Sequence, residues 1–497
     1  MAYKLVVIAV GLILPRLFIT GYGSEFNGLR DSVKQIFTYI ALLESGIGAA
    51  TLQSLYKPVA NGDHDTTNSY LSAASSYYNK IGVLYFAALT VMGTVYALAV
   101  PVASITKWEV FAYVMVSGAL TGINFFYLGK LKLLISAEGD QFLVSTVTMV
   151  TYVVSSIAKI TLFCFGIHII LVEAVFLAIN LGSTAVYYIL AKRKYPWISF
   201  RAKPDYECVK QRGSVMLHRI ASVIFQNTDV LLLTFFCNLE IVSIYGMYKM
   251  VVNMVTSIVS EIGNSVNFAF GQQFNSEDES KAGYCKIIDV FNVYYSAISF
   301  AFYTVTYILL IPFLRLYTDG MDINYIYTVL PTLYISMELL MVGREAMMRT
   351  IEVAGHFKKT QWRTLTEAGI NLGASVLFIF IGKHYFGDIG GIYGVLLGTV
   401  AALLYRTIDM NLYANKRILH RSSLKTFGIM ITNAVLLLAV AFVFRYIPMN
   451  IAGYGDFILY GLLITPCVLG VFLTVQSLLN VKEYRFLAAY VRAKIKK

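Results

Sequence analysis

The run from Leu14-Pro15-Arg16-Leu17 to Tyr56-Lys57-Pro58 decides the fold. It reads as an apolar helix with Arg16 near its end, a tight turn over Gly21-Tyr22-Gly23-Ser24-Glu25-Phe26-Asn27-Gly28, and a second long helix. The second helix carries Arg30, Lys34 and Glu44, breaks at Gly46-Ile47-Gly48 and leaves the apolar run at Lys57-Pro58. A fixed positive charge inside sequence this apolar is costly unless it faces protein or water. The rest of the chain is therefore expected to hold, and to move, that charge.

Composition supports the same reading. Of 497 residues, 58% are hydrophobic and 14% charged, with mean hydropathy +0.66, whereas soluble chains average about a quarter charged. The sequence predicts an all-α polytopic membrane protein. Its net charge of +12 does not point to nucleic acid, because the cations gather in short loops and in the tail Lys482 to Lys497, the distribution that fixes membrane topology. Lys4 ahead of Leu5 to Leu14 imitates a signal peptide, but Pro15-Arg16 stands where a small-residue cleavage site would fall. The segment is kept as a helix, short for a span, which leaves room for a start upstream.

Five cysteines and six histidines are scattered without ligand or redox spacing, so no metal, disulfide or cofactor is expected. No GxxxxGK[ST] loop occurs. Asp63-His64-Asp65 spells a DxD element, yet it sits in a short polar loop and reads as a solvated turn.

Apolar runs of spanning length fall near 3–20, 30–56, 80–103, 108–134, 142–165, 167–191, 213–236, 241–268, 287–314, 325–345, 364–382, 389–412, 424–446 and 455–479, about fourteen helices. With a cytoplasmic N-terminus, roughly thirty of the 40 cations lie in inside loops or the tail and about six in outside turns. Both termini are then cytoplasmic. A repeat is also legible. Ile47-Gly48 matches Ile262-Gly263, Glu138-Gly139-Asp140 matches Ala354-Gly355-His356, and Ala191-Lys192-Arg193 matches Asn415-Lys416-Arg417 at a longer offset that a larger outer turn near Lys383 to Gly390 would explain.

Two pseudo-two-fold-related six-helix lobes follow: 1–197, a cytoplasmic linker 198–212, and 213–423, with two appended helices and a basic tail over 424–497. Each lobe has an even number of spans, so both insert the same way up and their interface is the expected site. The register puts Lys34 on Lys249, which should face one another across a central cleft.

Several stretches resemble the polysaccharide flippases of the multidrug/oligosaccharidyl-lipid/polysaccharide exporter superfamily. They are Leu14-Pro15-Arg16, Gly23 to Leu29, Leu43-Glu44-Ser45-Gly46-Ile47-Gly48 through Pro58, Asn227-Thr228-Asp229, Gly355-His356-Phe357-Lys358-Lys359-Thr360-Gln361, and Gly398-Thr399 through Tyr405-Arg406. The resemblance implies a MATE-like fold in the bacterial cytoplasmic membrane, two lobes rocking about a cavity lined by basic residues, and an undecaprenyl-diphosphate-linked glycan as substrate for O-antigen, capsule or exopolysaccharide synthesis. It implies transport rather than enzymatic activity, with a polysaccharide polymerase and glycosyltransferases as partners beside the lipid bilayer.

A diphosphate-sugar headgroup needs cations and hydrogen-bond donors in place of water. Arg30 and Lys34, spaced i, i+4, share a helix face. With Arg16 on the neighbouring helix they form a basic wall, expected to be joined by Lys249 and Arg219. Lys159 reads as a snorkelling lysine. Glu44, Asp229, Glu261, Glu338 and Asp409 read as buried carboxylates; Asp229, Glu44 and Glu261 are candidates for ion coupling, and each could equally neutralise a nearby cation. Gly46, Gly48, Gly391, Gly394 and Gly398 read as close helix packing. Two other readings compete: an organic-cation antiporter of the same superfamily, which would want acids where Arg16, Arg30 and Lys34 stand, and a membrane glycosyl polymerase or ligase, which would want a long outer loop.

Overall fold

A computed structural model describes residues 2–44, 47–100, 102, 104–200, 202–209, 223, 227–274 and 282–495. Among the described residues the chain is helical throughout, without strands. The helices are α1 Ala2–Ile40, α2 Ile47–Ala60, α3 His64–Ala99, α4 Lys107–Ala137, α5 Gln141–Cys164, α6 Ile169–Lys194, α7 Asn227–Phe236, α8 Leu239–Asn264, α9 Asn267–Phe274, α10 Ala282–Tyr317, α11 Leu330–Val353, α12 Phe357–Phe386, α13 Ile389–Tyr413, α14 Leu424–Phe444, α15 Tyr454–Leu479 and α16 Val481–Ile495. Ten described helices are long and apolar enough to cross a membrane, so this is a multi-pass membrane protein. The described residues form two compact units, Met1–Ser243 and Ile244–Lys497. The first therefore extends past the sequence-based lobe boundary to take in α7 and the start of α8.

The break expected over 21–28 is present but confined to one residue: helical geometry continues on either side, and only Gly23 leaves it, with φ 85° and ψ 170°, so that two helical segments meet across a kink within α1. The residues that looked like a turn are polar or small because they pack. Ser24 and Asn27 are fully buried, Asn27 Nδ2 donates to Ser243 Oγ at 2.8 Å, and a Cβ on Gly28 would fall 1.9 Å from the carbonyl oxygen of Leu239. Small residues at a helix contact let backbones approach. The break near Gly46-Ile47-Gly48 is present as a 3-10 turn, Ala41–Glu44, before α2.

α3 begins sixteen residues before the expected apolar run. Asp63 caps it, accepting from Thr66 N at 3.0 Å, which gives the DxD-like triplet a structural role. The polar first turns of α3 hold the segment after α6. Asn68 donates to Trp197 O at 3.2 Å and accepts from Ser199 N at 2.8 Å, Ser72 donates to Phe200 O, and His64 stacks on Trp197 with centroids 4.0 Å apart.

Ion pairs at opposite ends of the α4–α6 layer fix its up-and-down order. Lys194 lies 2.5 Å from Asp140 at one end, and His168 lies 3.0 Å from Glu109 at the other. In the second unit, Gly390, Gly394 and Gly398 on α13 meet α12 backbone to backbone. A Cβ would sit 1.9 Å from Gly382 O, 2.4 Å from the backbone of Phe378 and Ile379, and 2.4 Å from Ser375 N.

The repeat has a local structural signature. α4 and α11 end on glycines with positive φ, Gly139 (83°) and Gly355 (68°), 216 positions apart. The closing bonds coincide one for one: Glu138 N to Leu134 O, Gly139 N to Ser136 O and Asp140 N to Ile135 O against Ala354 N to Thr350 O, Gly355 N to Glu352 O and His356 N to Ile351 O. α3 and α10 are both 36 residues long. The extra residues of the second half are not in an outer turn. That connection is shorter than its counterpart, and the excess lies in α12, which has 30 residues against 24 in α5, and in the π-helical extension Ala414–Ile418 beyond α13.

Candidate functional site

α1 presents the three cations expected of it. Arg16 is half-buried above the Gly23 kink, Arg30 and Lys34 lie below it, and Lys34 is exposed. The basic wall is not bare. Arg30 donates through Nη2 to the adjacent Asp31 Oδ1 at 2.8 Å, and its guanidinium sits 4.7 Å from the centroid of the fully buried Phe18 ring. Stacking of this kind on a ring face adds to burial. Asp31 escaped the sequence reading because it was hidden among the apparent turn and its flanking charges.

Lys159 corrects a second expectation. It does not snorkel. It is largely but not fully buried, lies 2.6 Å from the buried Glu173 and packs over Phe176 at 4.5 Å, with Phe18 at 5.8 Å. Two cations, Arg30 and Lys159, thus flank Phe18, each paired with an anion, Asp31 and Glu173 respectively, which links α1, α5 and α6.

In the second unit Lys249 is half-buried over the ring of Tyr245 at 5.3 Å. Glu338, the buried carboxylate of α11, accepts from Tyr303 OH at 2.8 Å, and Tyr303 in turn meets Thr256 at 3.0 Å. Toward the other end of α11 a larger network lies within a few ångströms. Arg344 Nη1 donates to Glu367 Oε1 at 2.6 Å, Arg406 Nε lies 3.3 Å from Glu367 Oε2, Arg406 Nη1 donates to Asp409 Oδ2 at 3.0 Å, and Arg363 pairs with Asp409. Sequence reasoning noted Asp409 but not its arginine partners or Glu367.

The coupling candidates separate. Glu44 accepts from Tyr78 OH at 2.9 Å beside Gly48, whose missing Cβ would fall 2.7 Å from Glu44 Oε1. The repeat-equivalent Gly263 makes the same room for a charged group, with Arg349 Nη2 2.7 Å from its would-be Cβ. Asp229 is buried on α7, next in sequence to Thr228, which hydrogen-bonds Tyr39 of α1 at 2.6 Å. Glu261 is exposed rather than buried, because it lies on the open face near the end of α8. Arg219 lies outside the described residues. Among the described residues no cluster of His, Cys, Asp and Glu has metal-site geometry.

No protein-family model matches the chain, and no curated protein matches it. Solved structures do. A lipid II flippase, MurJ in an inward closed conformation, aligns with TM-score 0.66 and 13% identity over 96% of this chain and 98% of its own. An inward-facing multidrug resistance MATE transporter of the MOP superfamily aligns at 0.63 and 15% over 82% and 94%. A MOP superfamily transporter from Pyrococcus furiosus, described as having a binding pocket of reversed polarity, aligns at 0.56 and 15% over 84% and 94%. These neighbours are transporters and flippases, and the charges described above are set in the fold that they share with this chain.

Proposed function

We propose that the chain is a flippase that moves undecaprenyl-diphosphate-linked oligosaccharide units across the bacterial cytoplasmic membrane by alternating access, with both termini in the cytoplasm. The observation that carries this reading is α1. An apolar helix of a transporter fold holds Lys4, Arg16, Arg30 and Lys34 against only Glu25 and Asp31. That balance suits an anionic headgroup, since Arg offers a planar fork to phosphate and Lys a mobile point charge. Arg16, Arg30, Lys34, Lys249 and Arg219 are the proposed headgroup contacts. Asp229 is the coupling candidate best placed in a buried setting, whereas Glu44 has a sufficient local role with Tyr78. The likeness to a lipid II flippase over 96% of the chain supports a lipid-linked substrate. Asp31 and Glu173 favour a second reading, an organic-cation antiporter, because they bring acids to Arg30 and Lys159.

Disrupting the gene and extracting membrane lipids separates the two. A flippase leaves prenyl-diphosphate oligosaccharide stranded on the cytoplasmic leaflet. An antiporter leaves glycan export intact and sensitises cells to ethidium-like cations, a result that would overturn the proposal.

A further inference from the structure

The carboxyl-terminal α16 is a separate element. It leaves α15 at Asn480, where the helix breaks with φ −119° and ψ 58° just as the apolar run ends. Asn480 donates to Gln476 O at 3.1 Å and Oε1 at 2.9 Å, and its own carbonyl accepts from Tyr484 N. α16 is pinned at its first turn. Lys425, at the start of α14, bridges Glu483 at 2.5 Å and Asp289 of α10 at 2.7 Å, and Arg421 adds a second bond to Asp289 at 2.8 Å.

That tether sets which face of α16 is free. At 3.6 residues per turn, Lys482, Arg485 and Arg492 fall on one stripe, on the side opposite Glu483. All three are exposed. Aromatic side chains border the stripe, Tyr484 at 51% exposure on one flank and Phe486 at 40% on the other, with Tyr490 at 56% beyond. Cations interleaved with exposed Tyr and Phe, on a short helix that begins where a membrane span stops, match the chemistry of the headgroup layer, where phosphate attracts the cations and aromatic rings sit at the acyl boundary.

We propose that α16 lies against the membrane surface and binds anionic phospholipid headgroups through Lys482, Arg485 and Arg492. The occupant is the leaflet on the cation-rich side of the protein, the side to which Arg421, Lys425 and the end of α15 belong. The tether to Asp289 and Lys425 transmits that attachment to α10 and α14. This assignment does not depend on what the protein transports.

The test uses the full-length protein in nanodiscs of phosphatidylcholine alone and of phosphatidylcholine with phosphatidylglycerol, reading amide hydrogen exchange over α16. Exchange should slow in the anionic discs and recover in high salt. The K482Q/R485Q/R492Q variant should exchange alike in both lipids, and each single Gln should reduce the anionic protection about fivefold. Equal exchange of the wild-type helix in both lipids overturns the proposal, as does anionic protection that survives the triple substitution. So does protection that arises in native membranes but in neither disc, which would assign the face to a protein partner. The exchange of α14 and α15 reports whether each variant is folded.

Discussion

Replacing Glu173 by Gln leaves Lys159 charged in a setting built for a pair. At 2.6 Å, the Coulomb attraction at an effective dielectric near 20 is roughly 6 kcal/mol, and desolvating each ion costs several kcal/mol. The pair therefore adds little net stability. The single substitution keeps the desolvation cost of the lysine and loses the attraction, a loss of about 3–5 kcal/mol. For a domain of this size that corresponds to a drop of about ten degrees in melting temperature. Replacing both partners by apolar side chains, K159M/E173L, removes the cost as well. Phe18 and Phe176, already against the lysine stem, would receive them. Helical circular dichroism of the purified protein in detergent should place E173Q well below wild type and the double variant close to it. A double variant no more stable than E173Q, or an E173Q that melts with wild type, refutes the reasoning. Because the pair joins α5 to α6 and is not among the proposed headgroup contacts, the double variant should retain flippase transport.

Gly394→Val would drive a side chain into the backbone of Phe378 and Ile379, 2.4 Å from its Cβ. The α12–α13 hairpin must open, and the variant should fail to accumulate in membranes, whereas Gly428→Ala on α14, with open space at its Cβ, should accumulate normally; equal immunoblot levels would contradict this. The hydrogen bonds from Lys194 and Tyr195 hold the Asp140 carboxyl below its usual range. A carboxylate with a lowered folded-state pKa stabilises the protein above its unfolded pKa, near 4, and loses that contribution as pH falls through the folded value. Melting curves of D140N should therefore fall below wild type at neutral pH and converge with it at acidic pH; a constant gap would contradict the assignment.

The helical class and the repeat were legible because long apolar runs, and turns recurring at a fixed offset, are one-dimensional signals. Ion partners were not, because they depend on which helices lie side by side. Yet a signal for them existed. Lys159 and Glu173 stand six residues before Phe165 and five after His168, and Arg344 and Glu367 stand eleven before and twelve after Gly355. Residues equidistant from the turn of an antiparallel helix pair lie at the same depth, so opposite charges so placed are candidates to meet. Reading each charge alone made Lys159 a snorkelling lysine, counted Arg344, which is buried within α11, among the inside-loop cations, and left Glu173 and Glu367 out of the account. The turn over 21–28 was read as longer than the single break at Gly23 for a related reason: Gly, Ser and Asn mark both turns and tight helix contacts, and only the packing of Asn27 on Ser243 and Gly28 on Leu239 tells them apart. Where a segment's polarity served the linker, as in the first turns of α3, hydropathy placed the helix start too late.

The proposed role of the cations on α1 and α8 is tested most directly by measuring export of the lipid-linked oligosaccharide in cells that carry K34A/K249A as the sole copy, with membrane insertion followed in parallel. Loss of export at normal insertion, with activity restored by K34R/K249R, is the predicted result. Undiminished export by the alanine pair would contradict the account.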